Sequence, residues 1–487
     1  MTKGIPMTGI LLTGTSSDAG KSALVTGLCG ALRQRGIDVA PFKSQNMSNN
    51  SMVCPDSAEI GRAQYLQATA AGVTPEAAMN PVLLKPGTDR RSFIVLMGRP
   101  DGELDAGEYA TGRKHLAEAA YDAYSDLASR HELIVCEGAG SPAEINLRAG
   151  DYVNMGLARH FGLPTVIIGD IDRGGVLASL YGTWALLEAE DRALLKGYII
   201  NKFRGDGALL EPGLQEITTR TGLANLGVMP WLEDVWFDGE DALQVDRWPA
   251  QSGAGDRLVV AAVRLPRISN STDIDALATE PGVEVQVTAD PATCARADLV
   301  VLPGSRATVD DLDWLRKRGI AQAIVQRRRE DKPILGICGG FEMMANTIDD
   351  DIESSAGSVP GLGVLPARFR FDAEKVVRTA QYHFDELAVD GYEIHHGRFE
   401  VDGGEAFLDG VRSGNSFGTM LHGSLENDGF RRRFLHMVAR NTGSTWEPDD
   451  ARPGYQQLRA TMIRTLSTAM AEYVDVDAML AMTGLAR

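Results

Sequence analysis

The sequence has 487 residues, of which 44% are hydrophobic and 23% charged, and its formal net charge is −18. This composition is typical of globular chains and excludes long disordered tracts, and the length allows two or three domains with full cores. The negative charge argues against a general affinity for nucleic acid or for an anionic membrane surface.

Five apolar segments in the first half of the chain predict strands. They lie near residues 9–13, 37–42, 132–136, 165–169 and 196–200, with helical patterns between them. Strands that alternate with helices in this way favour a mostly parallel sheet that is covered on both faces.

A second unit of the same class is predicted after residues 248–256, whose small and turn-forming residues favour a linker. Its first strands lie near residues 258–264, 283–288, 298–302 and 333–337. From residue 452 a helical pattern of Leu458, Met462, Leu466 and Met470 predicts a tail that packs on the body. We therefore predict an α/β fold of two doubly wound, mostly parallel sheet domains, residues 1–250 and 251–450, followed by a C-terminal helical tail, residues 451–487.

A candidate phosphate-binding loop joins the first strand to the first helix. Its sequence is Gly-Thr-Ser-Ser-Asp-Ala-Gly-Lys-Ser, residues 14–22. In such a loop the backbone amides and the helix N-terminus surround phosphates, Lys21 neutralises them, and the Ser22 hydroxyl ligates Mg²⁺. We expect ATP to bind at Gly14, Thr15, Asp18, Gly20, Lys21 and Ser22.

Five residues separate Gly14 from Gly20, a spacing that resembles the dethiobiotin-synthetase-like branch of the P-loop proteins. The resemblance implies that Asn201, at the end of a later strand, lies near the nucleotide base. Glu137 ends another strand, where such sheets carry an acidic Mg²⁺ partner. Asp18 and Asp56 are further metal candidates, although Asp56 is equally well explained as the cap of a helix over residues 57–70.

A glycine-rich turn around Cys338 predicts a nucleophile. The apolar run 333–337 predicts a strand, residues 341–344 look helical, and Gly336, Gly339 and Gly340 bracket the cysteine. A turn of this kind strains the backbone, and only neighbours without a Cβ leave room for it. We expect an exposed sulfur whose pKa is lowered by the following helix N-terminus. A buried structural cysteine would leave the three glycines unexplained.

A nucleophilic thiol also needs a base and an oxyanion site. His422 ends a later apolar run and is the candidate base. Gly304, in a turn after an earlier strand, and Gly339 are the candidate oxyanion donors. The order of these features resembles the class I (triad-type) glutamine amidotransferases over about residues 257–440. In that family the cysteine attacks the carboxamide of glutamine, ammonia leaves, and water releases glutamate from the thioester.

Two positions depart from that family. Glu342 stands where a glutamine usually helps to hold the substrate, and Ser424 stands where many members carry a glutamate that orients the histidine. Glu426 lies two residues further on. We therefore expect a Cys338–His422 dyad, with Glu342 as a charged ligand for the ammonium of glutamine and weak glutamine binding.

Several longer segments together resemble the cobyric acid synthases. They are residues 41–50 (Pro-Phe-Lys-Ser-Gln-Asn-Met-Ser-Asn-Asn), 137–148 (Glu-Gly-Ala-Gly-Ser-Pro-Ala-Glu-Ile-Asn-Leu-Arg), 169–176 (Gly-Asp-Ile-Asp-Arg-Gly-Gly-Val), 265–273 (Leu-Pro-Arg-Ile-Ser-Asn-Ser-Thr-Asp) and 391–395 (Gly-Tyr-Glu-Ile-His). The resemblance implies ATP-dependent amidation of the b, d, e and g carboxylates of adenosylcobyrinic acid a,c-diamide, with glutamine or ammonia as the nitrogen source. The expected cofactors are ATP and Mg²⁺, and the expected partners are glutamine and the corrinoid polycarboxylate.

The loops of the first half carry cations that suit a polycarboxylate, and we expect Lys43, Lys85, Arg148 and Arg173 to contact it. Two alternatives remain open from the sequence. One is a cobyrinic acid a,c-diamide synthase, which shares both domains, and the other is a non-catalytic positioning ATPase of the P-loop class.

Five cysteines without a CxxC pair predict neither a disulfide framework nor a zinc site and fit a reducing cytoplasm. Residues 1–7 are too short and polar for a signal peptide, and no apolar run reaches about 18 residues. We expect a soluble, cytoplasmic protein with no membrane or nucleic-acid partner, and a homo-oligomer is compatible with the sequence.

Overall fold

The computed structural model describes residues 8–87, 91–105, 114–233, 235 and 257–485. The predicted linker, residues 248–256, and the predicted boundary at residue 250 lie outside the described residues.

The first half contains twelve strands and seven α-helices among its described residues. The strands are β1 Gly9–Gly14, β2 Val39–Phe42, β3 Gln45–Met47, β4 Ser51–Val53, β5 Glu59–Gly61, β6 Val82–Pro86, β7 Arg91–Leu96, β8 Arg99–Asp105, β9 Leu133–Glu137, β10 Thr165–Asp170, β11 Leu195–Phe203 and β12 Ala224–Pro230. The helices are α1 Lys21–Gln34, α2 Arg62–Ala71, α3 Lys114–Arg130, α4 Met155–Phe161, α5 Val176–Leu186, α6 Ala189–Arg192 and α7 Gly207–Thr221.

The second half continues this numbering. Its strands are β13 Leu258–Val263, β14 Ile268–Ser269, β15 Val283–Thr288, β16 Leu299–Leu302, β17 Gly304–Ser305, β18 Ile334–Ile337, β19 Thr347–Asp350, β20 Gly357–Pro360, β21 Ala367–Phe384, β22 Leu387–Val401, β23 Glu405–Phe407, β24 Gly410–Ser413 and β25 Ser416–Thr419. The helices are α8 Thr272–Ala278, α9 Pro291–Arg296, α10 Thr308–Arg318, α11 Ile320–Arg329, α12 Gly339–Met344, α13 Asp428–Thr442, α14 Tyr455–Tyr473 and α15 Val476–Thr483.

The central sheet of the first half has six parallel strands in the order β12-β11-β10-β1-β9-β2. Its strands are almost entirely buried, as expected for a parallel sheet with helices on both faces. Since the strands are parallel, their carboxyl ends lie at one edge, which brings Gly14, Glu137 and Asn201 to the same side of the sheet.

The central sheet of the second half has the order β15-β13-β16-β18-β25-β24-β23. The first five strands are parallel, and the last two are antiparallel to their neighbours. Strand β18 lies in the middle of this sheet and ends immediately before Cys338. The prediction of two α/β units with mostly parallel sheets is confirmed.

Two smaller sheets were not predicted from the sequence. One joins β3, β6, β7 and β8 in the first half, and the other joins β20, β19, β21 and β22 in the second half. Strands β21 and β22 form a long antiparallel hairpin that reaches β4 of the first half. The small apolar cluster at that contact includes Val53, Tyr392 and Ile394.

Helices α14 and α15 follow the second half in the chain but pack on the first half. Met470, Val476 and Met479 belong to the same buried core as Leu24 and Leu28 of α1. The two long helices approach closely because α1 carries glycines at the contact. A Cβ at Gly27 would lie 2.8 Å from the Leu466 carbonyl oxygen, and one at Gly30 would lie 2.0 Å from Ser467 Oγ.

Among the described residues, no helix combines the length and the apolar character that crossing a membrane requires.

Candidate functional sites

The phosphate loop has the predicted strand–loop–helix geometry. It leaves β1 at Gly14 and enters α1 at Lys21, with Gly20 at φ 91° as the residue before the helix. The Lys21 ammonium donates to the carbonyl oxygens of Ser16 at 3.0 Å and Gly140 at 3.3 Å, so its side chain lies between the phosphate loop and the segment that follows β9. The Thr15 amide donates to the Ile168 carbonyl and ties the loop to the sheet.

A buried carboxylate faces the start of α1. Glu137, at the end of β9, is fully buried, and its Oε1 accepts from Ser22 Oγ and from Lys43 Nζ, both at 2.8 Å. Its Oε2 accepts from Gln67 Nε2 at 2.5 Å. The hydroxyl of Ser22 and the carboxylate of Glu137 are the oxygen ligands that Mg²⁺ prefers, and this ion commonly takes its remaining ligands from phosphate and water. The pair therefore fits the predicted metal site.

The other two metal candidates lie elsewhere. Asp56 is exposed in the turn between β4 and β5, where its carboxylate accepts from the Ala58 amide at 3.1 Å. The helix predicted over residues 57–70 begins only at Arg62, because residues 59–61 form β5. Asp18 turns its carboxylate outward to Arg173 at 3.2 Å. Among the described residues, no group of three or more His, Cys, Asp or Glu side chains could hold a metal ion.

The structure gives Asn201 a part in shaping the loop. Its amide donates to the Ala19 carbonyl at 2.9 Å, and a Cβ at Gly20 would lie 2.2 Å from Asn201 Nδ2. The side chain therefore packs directly under the left-handed turn that precedes α1. Its predicted place near the nucleotide base stays a prediction.

All four cations expected to meet the substrate have carboxylate partners within the protein. Lys43 is buried against Glu137, and Arg148 makes two 2.8 Å bonds to the buried Asp191. Lys85 is buried beside Glu59. Arg173 is the exposed member of the set, at 63% exposure. The sequence around these cations did not reveal their carboxylate partners, because the partners lie on segments that are distant in the chain.

The turn at Cys338 has the strain that its glycines predicted. Cys338 has φ 51° and ψ −114°, outside the comfortable range for a residue with a Cβ. A Cβ at Gly340 would lie 2.0 Å from the Leu302 carbonyl oxygen, and one at Gly336 would lie 2.6 Å from the Met344 sulfur. At Gly339 a Cβ would come within 2.8 Å of the Ser305 amide nitrogen. Larger residues could not replace these glycines without moving the backbone.

The predicted exposure and low pKa of the thiol are wrong. Cys338 is 5% exposed, and burial, followed by the nearby Glu342 carboxyl, raises its pKa well above the usual value. The Gly339 amide, which is hydrogen-bonded to the sulfur, opposes this only in part. Helix α12 has only six residues, so its N-terminus is a weak source of positive potential. The resting thiol is protonated and needs a base.

The histidine has a carboxylate partner that the sequence analysis missed. His422 Nδ1 lies 2.7 Å from Asp273 Oδ2, and Asp273 Oδ1 accepts from the Gly423 amide at 2.7 Å. Both side chains are buried, and the ring stacks on Tyr392 with centroids 5.4 Å apart. The expected dyad without an orienting acid is therefore wrong. Asp273 closes the segment 265–273, which carried the resemblance but was given no chemical role.

Neither Ser424 nor Glu426 reaches the ring as a partner. Glu426 pairs with Arg62 of the first half at 2.5 Å and with Arg459 of α14 at 3.0 Å. Its carboxylate thus links three parts of the chain. Gly304 does lie at the histidine, because a Cβ there would be 2.9 Å from His422 Cε1. Gly339 lies next to the following residue, Ser305, so both predicted oxyanion glycines are close to the cysteine–histidine region.

Glu342 is a neutral acid near pH 7 and not the charged ligand expected. It is 3% exposed, and burial, aided by Glu353, raises its pKa to about 8. Its Oε2 is hydrogen-bonded to the Thr308 hydroxyl at 2.7 Å. A protonated carboxyl has one O–H donor and one carbonyl acceptor, so it can present the same kinds of group as the amide of the glutamine it replaces. Weak glutamine binding is therefore no longer expected.

A small pocket opens beside the thiol. Cys338 and Glu342 line it together with Ser305, Arg306 and Glu353 of the second half. Lys85 of the first half lines it as well. The pocket is thus formed by both halves of the chain.

The comparisons with known proteins agree with these two sites. Residues 10–245 match the family model described as CobQ/CobB/MinD/ParA nucleotide binding domain, and residues 259–430 match the CobB/CobQ-like glutamine amidotransferase domain. The fold and the sites define a nucleotide-binding, glutamine-dependent amidotransferase.

Curated relatives extend the match over nearly the whole chain. The sequence is 60% identical to the cobyric acid synthase of Cutibacterium acnes, over 97% of this chain and 99% of that protein. It is 52% identical to the cobyric acid synthases of Mycolicibacterium vanbaalenii and Mycobacterium tuberculosis, over 97% of this chain and 96% of each relative. The chain belongs to the cobyric acid synthase family. It is therefore a glutamine-dependent amidoligase and not a positioning ATPase.

Proposed function

We propose that the chain converts the b, d, e and g carboxylates of adenosylcobyrinic acid a,c-diamide into amides, using ATP and ammonia taken from glutamine. The observation that carries this proposal is the presence of two complementary sites in one chain. The Ser22–Glu137 pair at the phosphate loop suits activation of a carboxylate by ATP, and Cys338 with the His422–Asp273 pair suits release of ammonia. The name shared by the relatives supports the choice of substrate.

In the glutaminase half, His422 accepts the proton of the Cys338 thiol, and the sulfur attacks the carboxamide carbon of glutamine. Asp273 holds the ring in the tautomer whose Nε2 is free to accept that proton and stabilises the imidazolium that forms. The amides at Gly304 and Gly339 are suited to the oxyanion. His422 then gives its proton to the leaving ammonia, and water hydrolyses the thioester to glutamate.

In the nucleotide half, the carboxylate of the substrate attacks the γ-phosphorus of ATP, ADP leaves, and ammonia then displaces phosphate from the acyl phosphate. Lys21 and the amides of the loop position the phosphates and offset their charge. Ser22 and Glu137 would hold Mg²⁺, which supplies further neutralisation of the transferring phosphoryl group. Arg173, which is exposed beside the loop and pairs with Asp18, has further N–H donors for a substrate carboxylate.

The location and the assembly of the chain are part of the same proposal. All five cysteines are buried and unpaired, which suits a reducing compartment, and we place the enzyme in the cytoplasm. A homo-oligomer remains compatible with the sequence.

The decisive experiment separates the two nitrogen sources. Cys338→Ala should abolish amidation with glutamine and retain amidation with high concentrations of ammonia, because ammonia bypasses the thioester. Lys21→Ala should abolish amidation with either source, because no acyl phosphate forms. Mass spectrometry of the corrinoid counts the carboxylates converted, four for this proposal and two for an a,c-diamide synthase. If a folded Cys338→Ala protein loses both activities, the proposed division of labour is refuted.

A further inference from the structure

One wall of the pocket beside Cys338 includes a lysine of the nucleotide half, and the roles assigned so far do not explain why this lysine lies there. Lys85, on β6 of the first half, and Lys375, on β21 of the second half, both line this pocket. They meet at one carboxylate, Glu59 of β5, which is completely buried. The two halves of the chain are thus joined at the pocket by a lysine–glutamate–lysine cluster.

The cluster is fully hydrogen-bonded around its carboxylate. Glu59 Oε1 accepts from Lys85 and from the Ser51 hydroxyl at 2.7 Å, and Oε2 accepts from Lys375 at 2.7 Å. Burial pushes the pKa of Glu59 upward, but Lys375 and Lys85 together outweigh burial and hold that pKa below its usual value. Glu59 is therefore ionised at neutral pH.

The charges of the cluster do not balance. Two lysines share one carboxylate, which leaves a surplus of one positive charge at the pocket wall. Burial lowers the pKa of Lys85 to about 8, so this lysine is still mostly charged at pH 7. Arg306 and Glu353, which line the same pocket, pair with each other and cancel. A buried excess of charge is costly, so this wall favours a ligand that brings a negative group.

We propose that Lys85 and Lys375 bind the α-carboxylate of glutamine, so that the nucleotide half completes the glutamine site. This inference rests on the proposed glutaminase role of Cys338. Glutamine carries a carboxamide at one end, which must reach the sulfur, and a carboxylate at the other, which matches the surplus charge. The assignment moves Lys85 from the corrinoid to glutamine. It also makes glutamine binding depend on the docking of the two halves.

The charge balance of the cluster supplies the test. Lys85→Met and Lys375→Met each remove the surplus charge and still leave Glu59 paired with one lysine, so neither creates an unpaired buried charge. A hydrogen bond to a charged group contributes about 1.5–3 kcal/mol, so each variant should raise the KM for glutamine by about 10- to 150-fold with little change in kcat. Lys332→Met, an exposed lysine of the second half that pairs with Glu330, is the matched control and should behave as wild type.

A labelling experiment reports on binding without turnover. A diazoketone analogue of glutamine retains the α-carboxylate, whereas iodoacetamide lacks it, and both alkylate a reactive cysteine. Each lysine variant should slow labelling of Cys338 by the analogue at least about tenfold and leave labelling by iodoacetamide unchanged. Thermal unfolding shows whether each lysine variant is folded. One folded variant is enough for the comparison of the two reagents.

Three outcomes would overturn the inference. One is an unchanged KM and labelling rate in a folded variant, which would make the cluster purely structural. Another is equal slowing by both reagents, which would mean that the lysines act on the thiol. The third is a rise in KM for the corrinoid and not for glutamine. Failure of the glutamine analogue to label Cys338 in the folded wild-type enzyme would instead refute the proposed glutaminase function, so the two failures are distinguishable.

Discussion

Replacing Asp273 by asparagine tests the histidine–carboxylate pair directly. The amide oxygen of asparagine can still accept from the Gly423 amide, which now bonds Asp273 Oδ1 at 2.7 Å. The NH₂ group then faces His422 Nδ1, where Oδ2 lies now, and donates to it. This fixes the ring with its proton on Nε2, the tautomer that cannot take a proton from the thiol.

The expected loss follows from that exchange of tautomers. The same substitution in a Ser-His-Asp triad lowers kcat by about 10⁴-fold. Here the stacking on Tyr392 and the paired backbone bonds between Tyr392 and His422 stay in place and keep the ring oriented. We therefore expect a loss of about 10³- to 10⁴-fold, or about 4–5.5 kcal/mol at 1.36 kcal/mol for each factor of ten.

The assay is the rate of glutamate formation at saturating glutamine, with amidation from free ammonia measured in parallel. Asp310→Asn, an exposed carboxylate in the first turn of α10, is the matched control and should keep the wild-type rate. A folded Asp273→Asn protein that loses less than about tenfold would refute the reasoning, because His422 would then work without an orienting acid.

Three further predictions concern other parts of the molecule. Glu342→Gln should leave the KM for glutamine nearly unchanged at pH 7. In the wild-type enzyme the KM should rise as pH passes about 8, because the Glu342 carboxyl loses its donor proton there, and this rise should be absent from the variant. The same inflection in the pH profiles of both proteins would contradict this. Glu426→Gln should lower the glutaminase rate by less than about tenfold, and it should lower the melting temperature because it weakens the buried ion pair with Arg62. A loss of rate near 10⁴-fold would mean that Glu426 orients the histidine after all. Gly27→Ala should lower the free energy of unfolding by about 1–3 kcal/mol in denaturant titrations, because the added Cβ meets the backbone of α14. Gly182→Ala in α5, where the added Cβ has open space, should be neutral or stabilising by up to about 1 kcal/mol. Equal effects would show that packing does not decide the sign of the change in the free energy of unfolding.

The elements that local pattern determines were predictable from the sequence. Apolar runs located β1, β2, β9, β10 and β11 of the first central sheet and β13, β15, β16 and β18 of the second to within about three residues, whereas β12, β23, β24 and β25 were not predicted. The glycines around Cys338 predicted a strained turn, which the structure has. The phosphate loop was equally clear. In each case the physical cause lies within a few neighbouring residues, so the sequence displays it directly.

What the sequence concealed depends on residues far apart in the chain. Asp273 lies 149 positions before His422, and an aspartate at the start of a short helix carries no local sign of a distant partner. The burial of Cys338 and Glu342 comes from β22 and α10, so the direction of both pKa shifts could not be read from neighbouring residues. One signal was available: the segment ending at Asp273 carried the resemblance, and its single carboxylate could have been assigned a role.

The packing of α14 on α1 has a consequence for the order in which the protein matures during synthesis. Ribosomes produce the nucleotide half before the glutaminase half, yet part of its buried core, including Met470 and Met479, comes from helices made after the glutaminase half. The apolar side of α1 therefore stays uncovered while the whole glutaminase half is translated, and it is open to chaperones or to aggregation during that time. The nucleotide half thus completes its core only after the glutaminase half has been made, so a nascent chain without these helices lacks a finished nucleotide-binding unit.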